Sequence, residues 1–171
     1  IVDYKDRQDT FEITQVTSEI NKTLLLELID EEISPTIVHN GIDLRKYSFS
    51  LDARTRIRRQ LNIKDYEILI GTVGRIEYEK GIDLLIDAFE RFSEKKNIKL
   101  VIIGEGSFKD RLIDLVSNKQ WFEKVFFVGS QNNVPDWLSA FGIYIQPSRA
   151  EGLSLAVIEA LSVGIPVIAT D

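Results

Sequence analysis

The stretch Pro147-Ser148-Arg149-Ala150-Glu151-Gly152-Leu153-Ser154-Leu155-Ala156-Val157-Ile158-Glu159 joins the apolar run 143–145 to a helical pattern through a polar loop. The apolar run predicts a buried strand, and the segment after Ser154 predicts a helix. Peptide N–H groups at a helix entry have no partner within the helix and lie at its positive dipole end, so they favour phosphate. This order of elements predicts an anion-binding edge of a sheet.

Two glutamates, Glu151 and Glu159, lie eight residues apart in this stretch. The spacing alone carries little weight, because Glu19 and Glu27 show it too. Beside an anion site, however, two carboxylates suit hydrogen bonds with the hydroxyls of a nucleotide sugar. The alternative interpretation is that Glu151 is a solvated loop residue and Glu159 a surface residue of a helix.

Length and composition bound the fold and exclude several kinds of site. The 171 residues are 44% hydrophobic, which is enough for one substantial core and too little for two ordinary domains. The net charge of −6, with both signs interspersed, argues against a general nucleic-acid surface. Since the chain has no cysteine and a single histidine, His39, we predict no disulfide, no thiolate nucleophile and no metal site.

Location and completeness can also be predicted from the sequence. No apolar run approaches the roughly 20 residues that span a bilayer, and the amino end lacks a signal-peptide pattern. We therefore expect a cytoplasmic protein without a transmembrane segment, and we leave peripheral contact with the inner face of the membrane open. Because methionine is absent, we expect the chain to be a piece of a longer protein.

From residue 67 onwards, apolar runs alternate with helical patterns. The predicted strands cover residues 68–73, 100–103, 125–128, 143–145 and 166–169, and the predicted helices between them cover residues 81–96, 108–117 and 134–141. Near-continuous apolar strands separated by helices indicate parallel strands that are covered on both faces. We therefore predict an α/β fold, a Rossmann-like doubly wound parallel sheet.

Ligands of such sheets bind where the strands end, so the residues after each strand matter most. After the first strand of this series come Gly74 and Arg75, with Lys80 and Gly81 at the other end of the loop. A guanidinium and an ammonium at this edge supply the basic patch that a phosphate needs. The alternative is that both cations merely pair with Glu77 and Glu79 on a wet loop.

After the second strand comes Gly104-Glu105-Gly106, which is half of a dinucleotide fingerprint without its third glycine. The glycines allow a tight turn and close approach of a ligand, and Glu105 either contacts ligand hydroxyls or is solvated. Two other groups receive structural interpretations. The arginines of the helix predicted over 52–61 form a solvated face (Arg54, Arg56, Arg58, Arg59), and Trp121 and Trp137 pack in or near the core.

Together these strand ends resemble the carboxy-terminal donor-binding half of the GT-B glycosyltransferases, within the retaining glycosyltransferase family 4. The resemblance covers about residues 12–171 and is carried by five elements in the family's order. They are the turn at 39–43, the V-G-R-x-x-x-x-K-G loop at 73–81, the G-x-G turn at 104–106, P-S-x-x-E-G with E-x7-E at 147–159, and the following strand at 164–170. The sequence departs from the pattern at His39, where proline is usual, and at Leu153-Ser154, where Phe-Gly is common.

The resemblance implies a role for each matching residue. Arg75 and Lys80 would bind the donor diphosphate and stabilise the leaving group, Glu151 would orient the sugar, and Glu159 would hold the ribose. Residues implied to contact the donor further are Gly74, Gly104, Glu105, Gly106, Gly152, Leu153 and Ser154. The resemblance also implies metal-independent transfer of a hexose-type sugar from a UDP-, GDP- or ADP-sugar, with no cofactor, to a glycan or lipid-linked acceptor, as in surface polysaccharide biosynthesis.

Two domains follow from this comparison. Residues 1–35 would be the tail of an acceptor domain or a linker, and residues 36–171 would be a nucleotide-sugar-binding domain that stops before its usual carboxyl end. With the acceptor domain missing, we expect these residues alone to transfer little. Two rival functions stay open, a non-catalytic nucleotide-sugar-binding module and, less favoured, a GT-B sugar-nucleotide epimerase.

Overall fold

The computed structural model describes residues 15–16, 23, 36–38, 41–94 and 97–170, which fall into two compact units, Ile1–Asn40 and Gly41–Asp171. In the first unit β1 (Gln15–Val16) pairs in parallel with β2 (Thr36–Ile37). The predicted boundary between residues 35 and 36 stays a prediction; in the structure Thr36–Ile37 pairs with Gln15–Val16 inside the first unit. Of the turn predicted at residues 39–43, residues 39 and 40 lie outside the described residues.

The second unit is a parallel sheet with helices between its strands. Its strands are β3 (Ile68–Val73), β4 (Ile98–Ile103), β5 (Val125–Phe127), β6 (Ile143–Gln146) and β7 (Val167–Ala169). Its helices are α1 (Leu51–Gln60), α2 (Ile82–Glu90), α3 (Lys109–Ser117), α4 (Val134–Ala140) and α5 (Leu155–Val163). The order β5-β4-β3-β6-β7 and the parallel pairing of neighbours confirm the predicted fold class.

Two apolar layers sandwich this sheet, because successive side chains of a strand point to opposite faces. In β4, Val101 and Ile103 join the layer beneath α1, α4 and α5, while Leu100 and Ile102 join the layer beneath α2 and α3. Helices on both faces bury most of the central strand β4, which explains its nearly continuous apolar sequence. Trp137 and Trp121, exposed by 2% and 8%, are core residues as predicted.

The strand order places a topological switch between β3 and β6. From β3 the chain winds outwards through β4 to β5, and it then returns to the other side of β3 to add β6 and β7. The helices that follow β3 and β6 therefore lie on opposite faces of the sheet, and the carboxyl ends of these two strands mark the position at which such sheets bind their ligands. Two of the sequence stretches that we singled out, the loop after β3 and the loop after β6, begin at this switch point.

The arginines of α1 do not form the predicted solvated face. Arg58 is only 3% exposed and donates to the carbonyl oxygens of Ala140 at 3.2 Å, Lys64 at 2.6 Å and Glu67 at 2.7 Å. Arg54 donates to the carbonyls of residues 139–141 at 3.0–3.2 Å. The final carbonyls of a helix lack partners within it, so these guanidinium groups complete the end of α4. Arg56 and Arg59 are exposed, as predicted.

Candidate functional site

The loop from Gly74 to Gly81 leaves β3 and lies against the loop after β4. Gly74 N donates to Ile103 O at 3.0 Å, and Ile76 N donates to Glu105 O at 2.8 Å. Glu77 accepts from Ser107 N at 3.0 Å and also from its hydroxyl, and these hydrogen bonds lower the pKa of Glu77. A Cβ atom on Gly106 would lie 2.2 Å from Ile76 O. Glycine at position 106 thus allows the loop after β4 to approach the loop after β3 closely, as the sequence predicted for a tight turn.

Lys80 and Glu151 meet across the switch point. Lys80 Nζ lies 2.7 Å from Glu151 Oε2, and the two side chains are 19% and 28% exposed. The same carboxylate oxygen accepts from Ser148 Oγ at 3.1 Å and from Gln146 Nε2 at 3.2 Å. The structure therefore brings together a predicted cation from the loop after β3 and a predicted carboxylate from the loop after β6. It also orients the Glu151 carboxylate by three donors.

A row of buried polar side chains, on β6 and two residues beyond it, leads to Glu151. Tyr144, Gln146 and Ser148 are exposed by 0%, 6% and 5%. The Tyr144 hydroxyl lies near Gln146 Oε1 and 3.3 Å from Val73 O, and Gln146 Nε2 donates to Ser148 Oγ at 2.8 Å. Burial raises the pKa of Tyr144, and the charges of Glu159 and Glu151 raise it further, against the hydrogen bond to Val73. Both glutamates therefore act on one buried hydroxyl.

Sequence reasoning missed this polar row, although the sequence contains a signal for it. Residues 144 and 146 alternate along β6 and so share a face of the sheet, and Ser148 continues the alternation two residues beyond the strand. Polar side chains on a face that is otherwise apolar need partners when they are buried. Three such residues in alternation, immediately before Glu151, predict a hydrogen-bonded row that leads to the site.

Glu159 is half-buried on α5, and its neighbour is Tyr47, which precedes α1. Burial, and then the hydrogen bond and charge of Glu159, raise the pKa of Tyr47 to about 12. Ser162 Oγ donates to Tyr47 O at 2.5 Å and ties this tyrosine to the same helix. Sequence reasoning did not find Tyr47, because it lies more than one hundred residues from Glu159 in the chain.

Arg75 stands apart from the buried pair. Its side chain is 72% exposed, and Nη2 lies 3.4 Å from Glu79 Oε1. For Arg75, therefore, the alternative interpretation of a pair on a wet loop agrees with the structure. Lys80 instead pairs with Glu151, and Glu77 with Ser107.

A cavity of about 250 Å³ opens beside Arg75 at the strand ends. Its lining comprises Val73, Gly74, Arg75, Ile103, Gly104, Glu105, Ser130, Gln131 and Val134. Glu105 pairs with Lys109 at 2.8 Å while its side chain stays 53% exposed. The structure thus places Gly74, Arg75, Gly104 and Glu105, four residues that the resemblance assigns to the donor, around one cavity.

The amino end of α5 follows Glu151. Ser154 is the residue before the first turn, and its Oγ accepts from Val157 N at 3.4 Å. One peptide N–H of the first turn is therefore satisfied within the helix by Ser154 itself. Gly152 is exposed and Leu153 half-buried, so both predicted residues lie at the surface between Glu151 and the helix.

A larger cavity of about 470 Å³ lies between the segments that enter β4 and β5, and its lining includes Glu90, Lys119 and Trp121. This position is at the amino ends of the strands, opposite the switch point at their carboxyl ends. Among the described residues, no cluster of His, Cys, Asp or Glu could hold a metal ion. Likewise, no helix in that part of the chain is long and apolar enough to cross a membrane.

Comparison with known proteins finds a matching family and several relatives. The family model described as glycosyl transferases group 1 matches residues 53–171. The lipopolysaccharide core biosynthesis mannosyltransferase LpsB of Rhizobium meliloti is 27% identical over 146 residues, which are 82% of this chain and 41% of LpsB. The O-antigen biosynthesis glycosyltransferase WclY of Escherichia coli is 32% identical over 135 residues, 79% of this chain and 37% of WclY.

The fold has a solved counterpart in HepE of Anabaena, whose crystal structure contains UDP-glucose. The TM-score is 0.82 at 21% identity, over 91% of this chain and 43% of HepE. Structural neighbours of this kind are GT-B glycosyltransferases, which confirms the predicted half of a GT-B fold. The chain spans less than half the length of these three proteins.

Proposed function

Because this chain belongs to the glycosyl transferases group 1 family, we propose that its second unit binds the nucleoside-diphosphate sugar of a glycosyl transfer reaction. The observation that carries the proposal is the pairing of Lys80 with Glu151 at the switch point, 2.7 Å apart. A cation for phosphate and a carboxylate for hydroxyls lie side by side there, and a nucleotide sugar presents phosphate and hydroxyls side by side.

In the proposed complex Arg75 and Lys80 bind the diphosphate. The 72% exposure of Arg75 leaves its guanidinium free to exchange Glu79 for phosphate oxygens, which it can bind bidentately. As the bond between the sugar and the diphosphate breaks, negative charge grows on the leaving group. The two cations of the loop between β3 and α2 stabilise that charge, and the amino end of α5 adds its dipole.

The carboxylates position the rest of the donor. Glu151 accepts hydrogen bonds from sugar hydroxyls, and Glu159, on the helix that Glu151 precedes, holds the ribose. Glu105, at the cavity, contributes a further acceptor. The cavity wall, which includes Val73, Ile103 and Val134, suits the flat apolar face of a base. We assign acid–base catalysis to none of these glutamates, since they lie where the donor is held.

The finer parts of the proposal concern the whole protein. We place it in glycosyltransferase family 4 and propose transfer of a hexose-type sugar with retention of configuration and without a metal. The donor would be a UDP-, GDP- or ADP-sugar, and the acceptor a glycan or a lipid-linked glycan. The names of LpsB and WclY, which refer to lipopolysaccharide core and O-antigen, support surface polysaccharide biosynthesis as the pathway class. A cytoplasmic protein with peripheral contact at the inner face of the membrane fits such an acceptor.

Nucleotide binding by the 171-residue chain tests the core of the proposal. We expect one of UDP, GDP or ADP to raise the unfolding temperature, because a ligand that binds only the native state stabilises it. Calorimetry should then show weaker binding of that nucleotide by both Arg75→Ala and Lys80→Ala. Lys119→Ala, which changes the cavity at the amino ends of the strands, is the matched control. Unchanged binding in both site variants, or no binding by the wild type, would contradict the proposal.

A longer natural protein that contains these residues tests the chemistry. We expect transfer to persist in excess chelator, and we expect the new glycosidic bond to have the anomeric configuration of the donor by NMR. A loss of activity that added metal restores would overturn metal independence. Inversion would overturn retention. Binding without transfer to any glycan acceptor would favour the non-catalytic module.

A further inference from the structure

A second set of contacts joins the loops that carry Lys80 and Glu151. The Arg149 guanidinium donates to both carboxylate oxygens of Asp83, at 2.8 and 2.6 Å. It also donates to Tyr78 O at 2.7 Å and stacks on the Tyr78 ring with 4.0 Å to the centroid. We call Arg149, Asp83 and Tyr78 the Arg149 clamp.

The backbone follows the same seam. Arg149 N donates to Glu79 O at 2.7 Å, so the residue before Lys80 is bonded to the loop that leads to Glu151. At Gly81, φ is 64°, and a Cβ atom there would lie 1.9 Å from Pro147 O. The two loops thus touch without any intervening side chain at this point. The backbone of residues 79–81 therefore lies directly against the backbone of residues 147–149.

The clamp is built for fixed geometry. Asp83 lies in the first turn of α2, where the helix dipole favours a carboxylate, and Arg149 further lowers the pKa of Asp83. The side chains of Arg149 and Asp83 are 25% and 23% exposed, so their pair is partly shielded from water. A bidentate pair with a stacked guanidinium restricts both distance and angle, which a single ammonium cannot do.

We propose that Arg149 is a positioning residue of the donor site, because the Arg149 clamp fixes the loop of Lys80 against the loop of Glu151 and so sets the alignment of these two side chains. The inference rests on the proposed donor site. It gives Arg149 no contact with the donor: its guanidinium is already engaged with Asp83, Tyr78 O and the Tyr78 ring, and its effect on the ligand passes through Lys80 and Glu151.

Nucleotide affinity of clamp variants tests the inference, with UDP, GDP and ADP titrated in turn by calorimetry. Arg149→Ala should weaken binding of the nucleotide that the wild type prefers about tenfold, the size of a typical coupling between neighbouring residues. Arg149→Lys keeps the charge but loses the fork, so it should bind nearly as weakly as Arg149→Ala. Arg56→Ala is the control, since it removes another 2.6 Å ion pair, with Asp136, which joins α1 to α4. This variant should bind as the wild type does.

A double variant separates positioning from direct contact. If Arg149 acts through Lys80, then Arg149→Ala should cost much less affinity in the Lys80→Ala background than in the wild type. Full additivity, wild-type affinity of Arg149→Ala, or full rescue by Arg149→Lys would each overturn the clamp and leave the donor site intact. Unfolding temperatures measured alongside identify any variant that is not folded, and Asp83→Asn then replaces it. A wild-type chain that binds none of the three nucleotides would instead overturn the proposed function, and the clamp with it.

Discussion

The two ends of the loop between β3 and α2 hold their cations in different ways. At the β3 end, Arg75 projects into solvent beside a cavity, with one long contact to Glu79. At the α2 end, Lys80 is mostly covered, it is paired with Glu151, and the carbonyl oxygen of its neighbour Glu79 accepts from Arg149 N in the loop after β6. The difference teaches that two cations matching one motif need not be held in the same way. Lys80 is fixed by contacts within the domain, whereas Arg75 is exposed and, among the described residues, keeps only one long contact.

The largest effect should come from a methyl group at the α2 end of the loop, the docked end, which packs against the loop after β6. Gly81→Ala places its Cβ 1.9 Å from Pro147 O and forces alanine into a left-handed conformation. We expect a loss of about 2–5 kcal/mol in the free energy of unfolding, measured in denaturant. Gly74→Ala at the β3 end, the open end, is the matched variant. The φ of Gly74 is also positive, but no atom lies within 4 Å of a Cβ at this position. It should lose only about 1–2 kcal/mol, and equal losses would contradict the comparison.

Removing the cations themselves should produce a smaller difference. Lys80→Ala leaves the partly buried Glu151 carboxylate with neutral donors only, so we expect a loss of about 1–2 kcal/mol in unfolding free energy. Arg75→Ala should stay within about 0.5 kcal/mol of the wild type, because its exposed pair is weak. Both values come from denaturant unfolding without ligand. A larger loss for Arg75→Ala than for Lys80→Ala would reverse our assignment of the two ends.

The smallest effect concerns acid. Arg149 lowers the pKa of Asp83 below its ordinary value of 3.8, so Asp83 binds its proton more weakly in the folded than in the unfolded state. Its stabilising contribution is therefore present above that value and is lost as the pH falls through the folded pKa. Asp83→Asn should remove this part of the pH dependence, measured as unfolding free energy from neutral pH to below 3.8. Parallel curves for Asp83→Asn and the wild type would contradict a charged pair at the docked end.

Local patterns predicted the fold well because they follow burial. The strand predicted over 68–73 agrees with β3, whose residues are mostly apolar. By contrast, α2 ends at Glu90, earlier than the predicted residue 96, since amphipathic spacing does not mark where a helix stops. The solvated face predicted on α1 was wrong for Arg54 and Arg58. All the carbonyl partners of Arg54, and one of those of Arg58, lie more than eighty residues away in the chain. A local sequence pattern cannot predict such contacts.

The sequence predicted the charged residues of the candidate site but not the residues that hold them in place. Strand ends and the family resemblance pointed to Lys80 and Glu151, which the structure joins. The roles assigned to them and to Arg75 and Glu159 remain predictions. Tyr47 and Arg149 were invisible because each depends on a fold that brings distant segments together. A polar residue on a loop gives no sign in the sequence of whether it faces water or a partner.

One consequence of the Glu151 geometry concerns how a sugar would be recognised. The three donors to this carboxylate all converge on Oε2, and within the described part of the chain none reaches Oε1. Three donors on Oε2 restrict how far this carboxylate can turn, and they leave the lone pairs of Oε1 as available acceptors. In the proposed complex a hydroxyl of the donor sugar would bind there. Axial and equatorial hydroxyls leave a sugar ring at different angles, so we expect a carboxylate held in this way to favour one epimer over another.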